Sequence, residues 1–338
     1  MGADDRAGAV RIVQLSDTHL SHLGGVTTDN FRRLARFVDE VLRPDLIVHT
    51  GDVVAVTPDH AADRAAAVAA LGAVRAPLRV LPGNHDVGEP GGEPWMGLAV
   101  TEARIEAHRG AFGPDRFAVE LGAWQLIGLN SELLGSGLAG EEEQWRWLSE
   151  ALSGGEGRPA ILFLHKPLWA PRPSSRPGRS VLEAARERLL ALPGAPSLRA
   201  VGSGHLHRYR RRVRPDLLEV WAPSTAFRGR SRPEETHFEQ LGVVEWHLAA
   251  DGTVDAAFRA PHDLDEREAA DVPEVADAIA LLEAAGGGLQ GPTITGMGSA
   301  PLPGTSPGLP EGFASYGAAR AALMPRLKAM SAVTVLLP

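Results

Sequence analysis

Arg11-Ile12-Val13-Gln14-Leu15-Ser16-Asp17-Thr18-His19 decides how the chain is read: an apolar run that ends in a polar block. Arg11 to Leu15 reads as a buried strand, with Asp17 and His19 just beyond its end. The same arrangement recurs four times. Asp45 to Thr50 leads into Gly51-Asp52, and Leu78 to Leu81 into Gly83-Asn84-His85-Asp86. Ala160 to Leu164 leads into His165, and Leu198 to Gly202 into Gly204-His205-Leu206-His207. Polar side chains thus gather at strand ends, and in layered α/β sheets the loops at the carboxyl ends of strands are where ligands bind.

Between these strands the spacing turns helical. Thr28 or Asp29 can cap a helix with apolar positions Phe31, Leu34, Phe37, Val38, Val41 and Leu42, which ends before Pro44. An Ala-rich helix is expected over about His60 to Val74, and a further one over Ser180 to Leu192. In Gln144-Trp145-Arg146-Trp147-Leu148, the stripe Trp147, Leu148 and Leu152 is expected to pack on a sheet. Leu218 to Ala226, Leu241 to Leu248 and Val254 to Phe258 read as strands, the last two joined by an Asp251-Gly252 hairpin turn. Gly88 to Gly97 reads as a loop over the site, where Trp95 and Met96 either contact substrate or anchor the loop.

Asp-x-His, Gly-Asp, Gly-Asn-His-Asp, a lone His and Gly-His-x-His, in that order, resemble the signature of the calcineurin-like metallophosphoesterases. The resemblance spans about Val10 to Ala260. It implies an α/β fold, a four-layer α/β/β/α sandwich of two mixed sheets flanked by helices, with a C-terminal extension. Leu126-Ile127-Gly128-Leu129-Asn130-Ser131 followed by the Gln144 helix is similar to members with a strand ending in Asn-Ser and a Gln-x-x-Trp-Leu helix. Residues 1–260 are expected to form the metallophosphoesterase domain and 261–285 an acidic helical segment, interrupted at Pro273. Residues 286–312 read as a Gly/Pro-rich linker and 313–338 as a helical tail. That tail is expected to be flexible or peripherally docked; a lid over the site or the arm of a homodimer is the competing reading.

Family positions imply which residues hold two divalent or mixed-valence metal ions, Mn, Fe or Zn. One ion would take Asp17, His19, Asp52 and His207; the other Asp52, Asn84, His165 and His205. Asp52 is the bridge, because a carboxylate offers two anionic oxygens to two cations. Paired cations neutralise phosphate oxygens and lower the pKa of a bridging water, so that hydroxide is available as nucleophile near neutral pH. His85 is expected to act without binding metal, contacting a phosphate oxygen or protonating the leaving alkoxide. Asp86 either orients His85 or caps the loop.

Composition limits the partners. A net charge of −8 over 338 residues argues against general nucleic-acid binding, since no basic stripe would match a phosphate backbone. The absence of Cys excludes thiolate ligands and leaves oxygen and imidazole donors. Met1 to Val10 reads as neither signal peptide nor anchor, and no apolar window is long enough for a membrane span, so a cytoplasmic enzyme is expected.

The remaining histidines are read conservatively. His22, near His19, either reaches the pocket or occupies a turn; His49 is expected to be a core residue; His60, His108, His237, His247 and His262 are expected at the surface or in packing. Lys166 either aids phosphate binding or is solvent-exposed. Gly51-Asp52 continues into Val53-Val54-Ala55-Val56-Thr57, without the Asp-Arg-Gly segment of calcineurin-type protein phosphatases. The reading is therefore a binuclear metal-dependent hydrolase of a small phosphorylated metabolite, phosphodiesterase preferred over phosphomonoesterase. A serine/threonine phosphoprotein phosphatase is the alternative, and a non-catalytic interaction module on the same fold a remoter one.

Overall fold

Strands buried on both faces read as continuous apolar runs, and their alternate residues serve two different cores. The computed structural model describes residues 9–91, 98–169, 178–229 and 240–276. Trp95, Met96, His237, the 286–312 linker and the 313–338 tail lie outside the described residues. In chain order the strands are β1 (Val10–Leu15), β2 (Leu46–His49), β3 (Leu78–Val80), β4 (Phe117–Leu121), β5 (Trp124–Leu129), β6 (Ala160–Leu164), β7 (Leu198–Ser203), β8 (Arg210–Val213), β9 (Leu218–Trp221), β10 (Val243–Leu248) and β11 (Val254–Arg259). The helices are α1 (Val26–Phe37), α2 (Ala61–Leu71), α3 (Asn84–Val87), α4 (Glu102–Phe112), α5 (Ala139–Gly154) and α6 (Glu183–Leu190).

Two mixed sheets result. One has the order β11-β10-β1-β2-β3, the other β4-β5-β6-β7-β9-β8. The strands carrying the polar blocks run parallel: β1 with β2, β2 with β3, and β6 with β7. Their carboxyl ends therefore share one edge of the sandwich. Between the sheets lie Ile12, Val48, Leu126, Ile161, Phe163, Val220 and Trp246. On the outer face of the first sheet, Val13, Leu15 and Ile47 meet Phe31, Leu34 and Val38 of the first helical segment and Ala67 and Leu71 of α2. On the outer face of the second, Ile127, Leu129, Leu162 and Leu164 meet Trp145, Leu148 and Leu152 of α5 with Leu189 of α6. This is the four-layer α/β/β/α sandwich. Full burial of a side chain such as Phe31 or Leu162 contributes roughly 1.5–3 kcal/mol, so these stripes fix the layers.

Several expectations change in detail. In α5, Trp145 is buried with Leu148 and Leu152, whereas Trp147 is partly buried beneath Arg116, whose guanidinium carbon lies 5.6 Å from the ring centre. Positions 145, 148 and 152 are the better i, i+3, i+7 stripe. β8, absent from the sequence reading, is an edge strand of three arginines whose charge protects the open edge of the sheet. The first helix is not capped by Thr28 or Asp29. It begins at Val26 after Gly25, and the Thr27 amide donates to Glu274 Oε1 at 2.8 Å. The acidic segment does not turn helical at Glu266. Helix begins at Pro273, which opens it instead of interrupting it, because proline's missing N–H and fixed φ suit a first helical position. Among the described residues no helix is long and apolar enough to cross a membrane.

Candidate metal centre

Where β1 ends, the chain leaves extended conformation abruptly. Asp17, His19, Asp52, His205 and His207 all have positive φ, between 42° and 70°. Left-handed backbone costs a non-glycine residue about 1–2 kcal/mol and clusters at functional sites. The turns are held from outside: Asp17 N donates to Gly51 O, His19 N to Asp52 O, and Ser224 Oγ to Asp17 O. Gly204 lacks a side chain for a steric reason, since a Cβ there would lie 1.9 Å from Ser16 Oγ and 2.7 Å from Asp17 Oδ2.

The structure brings all of the predicted ligand residues together, each buried. His207 Nε2 lies 3.3 Å from Asp17 Oδ1 and 3.2 Å from His19 Nε2, which is 4.0 Å from Asp52 Oδ2. On the other side of Asp52, His165 Nε2 stands 3.3 Å from Oδ2, 3.1 Å from Asn84 Oδ1 and 3.2 Å from His205 Nδ1. Asp17, His19, Asp52 and His207 form one group of donor atoms lying within 4.8 Å of one another; Asp52, His165 and His205 form a second. Asp52 belongs to both.

Backbone carbonyls set the tautomers. Nδ1 of His19, His165 and His207 faces the carbonyl of Ala55, Thr50 and Phe227 respectively. A carbonyl only accepts, so each Nδ1 carries a proton, and in the neutral ring each Nε2 directs a lone pair inward, the arrangement of metal-binding imidazoles. Asp17 Oδ1, Asp52 Oδ2 and His205 Nε2 are buried without a hydrogen bond of normal geometry, which is costly unless a cation satisfies them. The donor set therefore fits a pair of divalent ions.

Electrostatics agree. Burial alone would raise the Asp52 pKa, but His165, His85 and His19 around it hold it well below the usual carboxylate range. Burial likewise opposes ionisation of Asp17, yet His207 and His165 bring it down to about 2. Burial would discharge His165, but Asp52, Asp17 and Glu132 pull its pKa up to about 10. Burial, with His85 and His207 beside it, lowers His19 to about 3. The pull on His165 reports the negative field of the buried carboxylates, and a bound cation would take the place of that proton.

His85 lies beside this cluster, its Nε2 3.9 Å from Asp52 Oδ2 and its ring edge-on to His19 at 4.7 Å. Its amide donates to Asp52 Oδ1 at 2.8 Å. Asp86 shows the geometry of the loop-capping alternative: its carboxylate accepts from the amides of Gly83, Val53 and Val54 at 2.9–3.1 Å. Burial and the neighbouring Asp52 push its pKa up to about 7. Lys166 fits neither sequence reading. It is buried between Glu132 at 2.9 Å and Glu89 at 3.2 Å, and these carboxylates keep it charged against the cost of burial. His49 is a core residue, its Nε2 3.0 Å from Thr18 Oγ1 and its Nδ1 accepting from the Gly51 amide.

Supporting residues went unread in the sequence. Gln14 links the two sheets beneath the site: its amide nitrogen donates to Thr50 Oγ1 and Ser203 O, and its Oε1 accepts from Trp246 Nε1. Phe227 stacks on His19 at 4.7 Å and lies 5.0 Å from His207. Asn130 and Ser131 also acquire a role. Gln144 clamps the Asn130 backbone from both sides, and Ser131 Oγ accepts the Lys166 amide next to His165. Only Gln144 and the Asn-Ser pair carried a signal, and it lay in the family pattern, not in their chemistry.

The family model described as calcineurin-like phosphoesterase matches residues 10–209. This chain belongs to the calcineurin-like phosphoesterases. As a member it is a metal-dependent phosphoester hydrolase. It is 31% identical over 235 residues to the 3′,5′-cyclic adenosine monophosphate phosphodiesterase CpdA of Pseudomonas aeruginosa, covering 64% of this chain and 76% of that protein. A 3′,5′-cyclic-nucleotide phosphodiesterase of Nostoc is 26% identical over 255 residues, 72% of this chain and 90% of the other. Among solved structures, purple acid phosphatase PPD1 from yellow lupin superposes with a TM-score of 0.54 at 14% identity over 78% of this chain. The phosphoesterase spans about half of the lupin chain, 53%. A dimetal phosphatase from Danio rerio gives a TM-score of 0.51 at 12% identity, covering 74% of this chain and 96% of that one. At these identities the structural likeness speaks for the fold alone.

Proposed function

We propose that this phosphoesterase hydrolyses phosphodiesters of a small phosphorylated metabolite, with a cyclic nucleotide as the first candidate. The observation that carries the reading is the Asp52 carboxylate standing between two donor groups with His85 beside it. The names of the two sequence relatives favour diesters over monoesters. Asp17, His19, Asp52 and His207 would hold one ion, and Asp52, Asn84, His165 and His205 the other; such donors suit Mn, Fe or Zn. When bound, the pair supplies positive charge to phosphate oxygens and acidifies water.

The protein's own groups do the rest. His85 contacts a phosphate oxygen and, as imidazolium, gives its proton to the departing alkoxide. Asp86 does not touch substrate; by gathering the amides of Gly83, Val53 and Val54 it fixes the turn that presents Asn84 and His85. The backbone carbonyls behind His19, His165 and His207 keep their lone pairs directed inward. Turnover of bis-p-nitrophenyl phosphate, p-nitrophenyl phosphate, a phosphopeptide and 3′,5′-cyclic AMP by Mn-loaded protein tests the reading. The diesters are expected to be the better substrates; a clear preference for the monoester or the phosphopeptide would overturn it.

A further inference from the structure

Beyond the binuclear centre, the loop after β1 and the start of α2 place two imidazoles around one buried carboxylate. We infer that His22, His60 and Asp63 form a third cation site, selective for a borderline divalent ion such as Zn2+. His22 Nδ1 lies 2.6 Å from Asp63 Oδ1, and His60 Nδ1 lies 3.0 Å from Asp63 Oδ2. One donor atom from each residue falls within 4.8 Å of the other two. Zn–N and Zn–O bonds of about 2.0–2.2 Å in a tetrahedron separate ligand atoms by roughly 3.3 Å, so an ion fits once the two imidazole nitrogens move about 0.3–0.7 Å from the carboxylate.

The site has the features of a built one. His60 immediately precedes α2, and Asp63 follows in its first turn, so the two share a face. Ser21 Oγ and the His22 amide donate to Asp63 Oδ1 and fix the carboxylate, the support that metal-binding carboxylates receive. Asp63 is 3% exposed, and among the described residues no Lys or Arg pairs with it. Arg64 instead donates to the Pro58 carbonyl, and Arg104 engages Asp59. A buried carboxylate in such surroundings gains most from a cation. Burial opposes its ionisation, but hydrogen bonds from His60 and His22 lower its pKa and keep the anion available. His22 and His60 stay 24% and 13% exposed, and His22 lines a cleft of about 860 Å³ between α1 and α2. The ion has an entry path, and water can complete its coordination. With N, N and O donors and one open position, the set suits Zn2+ better than Mg2+ or Ca2+, which prefer oxygen. The bound ion would tie the loop after His19 to α2.

The full-length protein, stripped by chelator, reloaded with Zn2+ alone and desalted, is analysed for zinc per chain. Wild type is expected to hold one ion more than His60→Ala, and His22→Ala is expected to match His60→Ala. Both variants should turn over bis-p-nitrophenyl phosphate near the wild-type rate. His60→Ala in an Asp52→Asn background should still remove one ion, separating this site from the binuclear centre; undiminished zinc in Asp52→Asn itself would count against the bridging role of Asp52 only. Equal zinc in wild type, His60→Ala and His22→Ala, each with native circular dichroism, overturns the proposal.

Discussion

Nε2 of His165 stands 3.3 Å from Oδ2 of Asp52, although the two residues come from different sheets. The other oxygen of Asp52 is already committed to the His85 amide, so Oδ2 is the atom that faces both donor groups. In Asp52→Asn the amide oxygen can keep the His85 contact, but an NH2 group then stands where Oδ2 was and has no lone pair to offer a cation. Both ions are expected to weaken and turnover to fall by about 10²-fold or more, with circular dichroism unchanged. Metal analysis and rate on the same sample check this; full metal with near-normal rate would remove Asp52 from the bridge.

What the sequence made legible was local. Asp17, Asp52, Asn84, His165, His205 and His207 each follow an apolar run within a few positions, so strand periodicity alone placed them at the sheet edge. What it hid depends on distance or on backbone torsion. Gln14 acts through Ser203, 189 residues away, and Glu274 through Thr27, 247 residues away. Positive φ at Asp17 and His207 leaves no mark in composition, because only the surrounding packing imposes it. The buried face of α5 is not decided by its sequence, because Trp145 and Trp147 both lie at helical spacing from other apolar residues and only the position of the sheet selects Trp145. Asp86 was ambiguous for a related reason: a carboxylate after Asn-His serves equally as partner to a side chain or to backbone amides.

His85→Ala separates chemistry from metal binding. The imidazole lies 3.9 Å from Asp52 Oδ2, beside the donor groups and outside both of them. The variant is expected to retain both ions and lose about 10²–10⁴-fold in rate. If the ring protonates the leaving group, p-nitrophenyl esters should lose less than alkyl esters, because a good leaving group needs no proton. Loss of an ion in His85→Ala would place His85 among the ligands instead.

His108 supplies a pH dependence away from the site. It is fully buried in α4, with its ring 5.0 Å from Phe112. Burial outweighs the pull of Asp115 and the Val80 backbone and lowers its pKa to about 4. The unfolded chain takes up this proton near pH 6.5 while the native state resists it, so the native state is favoured above pH 6.5 and loses stability as pH falls toward 4. Such a shift corresponds to about 3 kcal/mol. Urea titrations at pH 7 and pH 4.5 are expected to differ less for His108→Phe than for wild type; an identical difference would assign the acid sensitivity elsewhere.

The contact of Glu274 with α1 bears on where the folded body ends. Glu274 Oε1 takes the Thr27 amide, and a side chain at Gly25 would collide with the same carboxylate, at 2.6 Å from its Oε2. Beside it, Val272 and Val275 are buried with Ala55, Val56, Leu98 and Phe227. Removing the cap in Glu274→Ala should cost about 1 kcal/mol, whereas cutting the chain after Arg259 also exposes the surfaces that the two valines cover, roughly 1.5–3 kcal/mol each. A cut after Ala285 spares all of these contacts. Thermal melts of the three proteins should therefore rank the Ala285 truncation nearest to wild type, Glu274→Ala next and the Arg259 truncation lowest. An Arg259 truncation as stable as the full chain would show that the 261–276 segment contributes nothing to the body on which it lies.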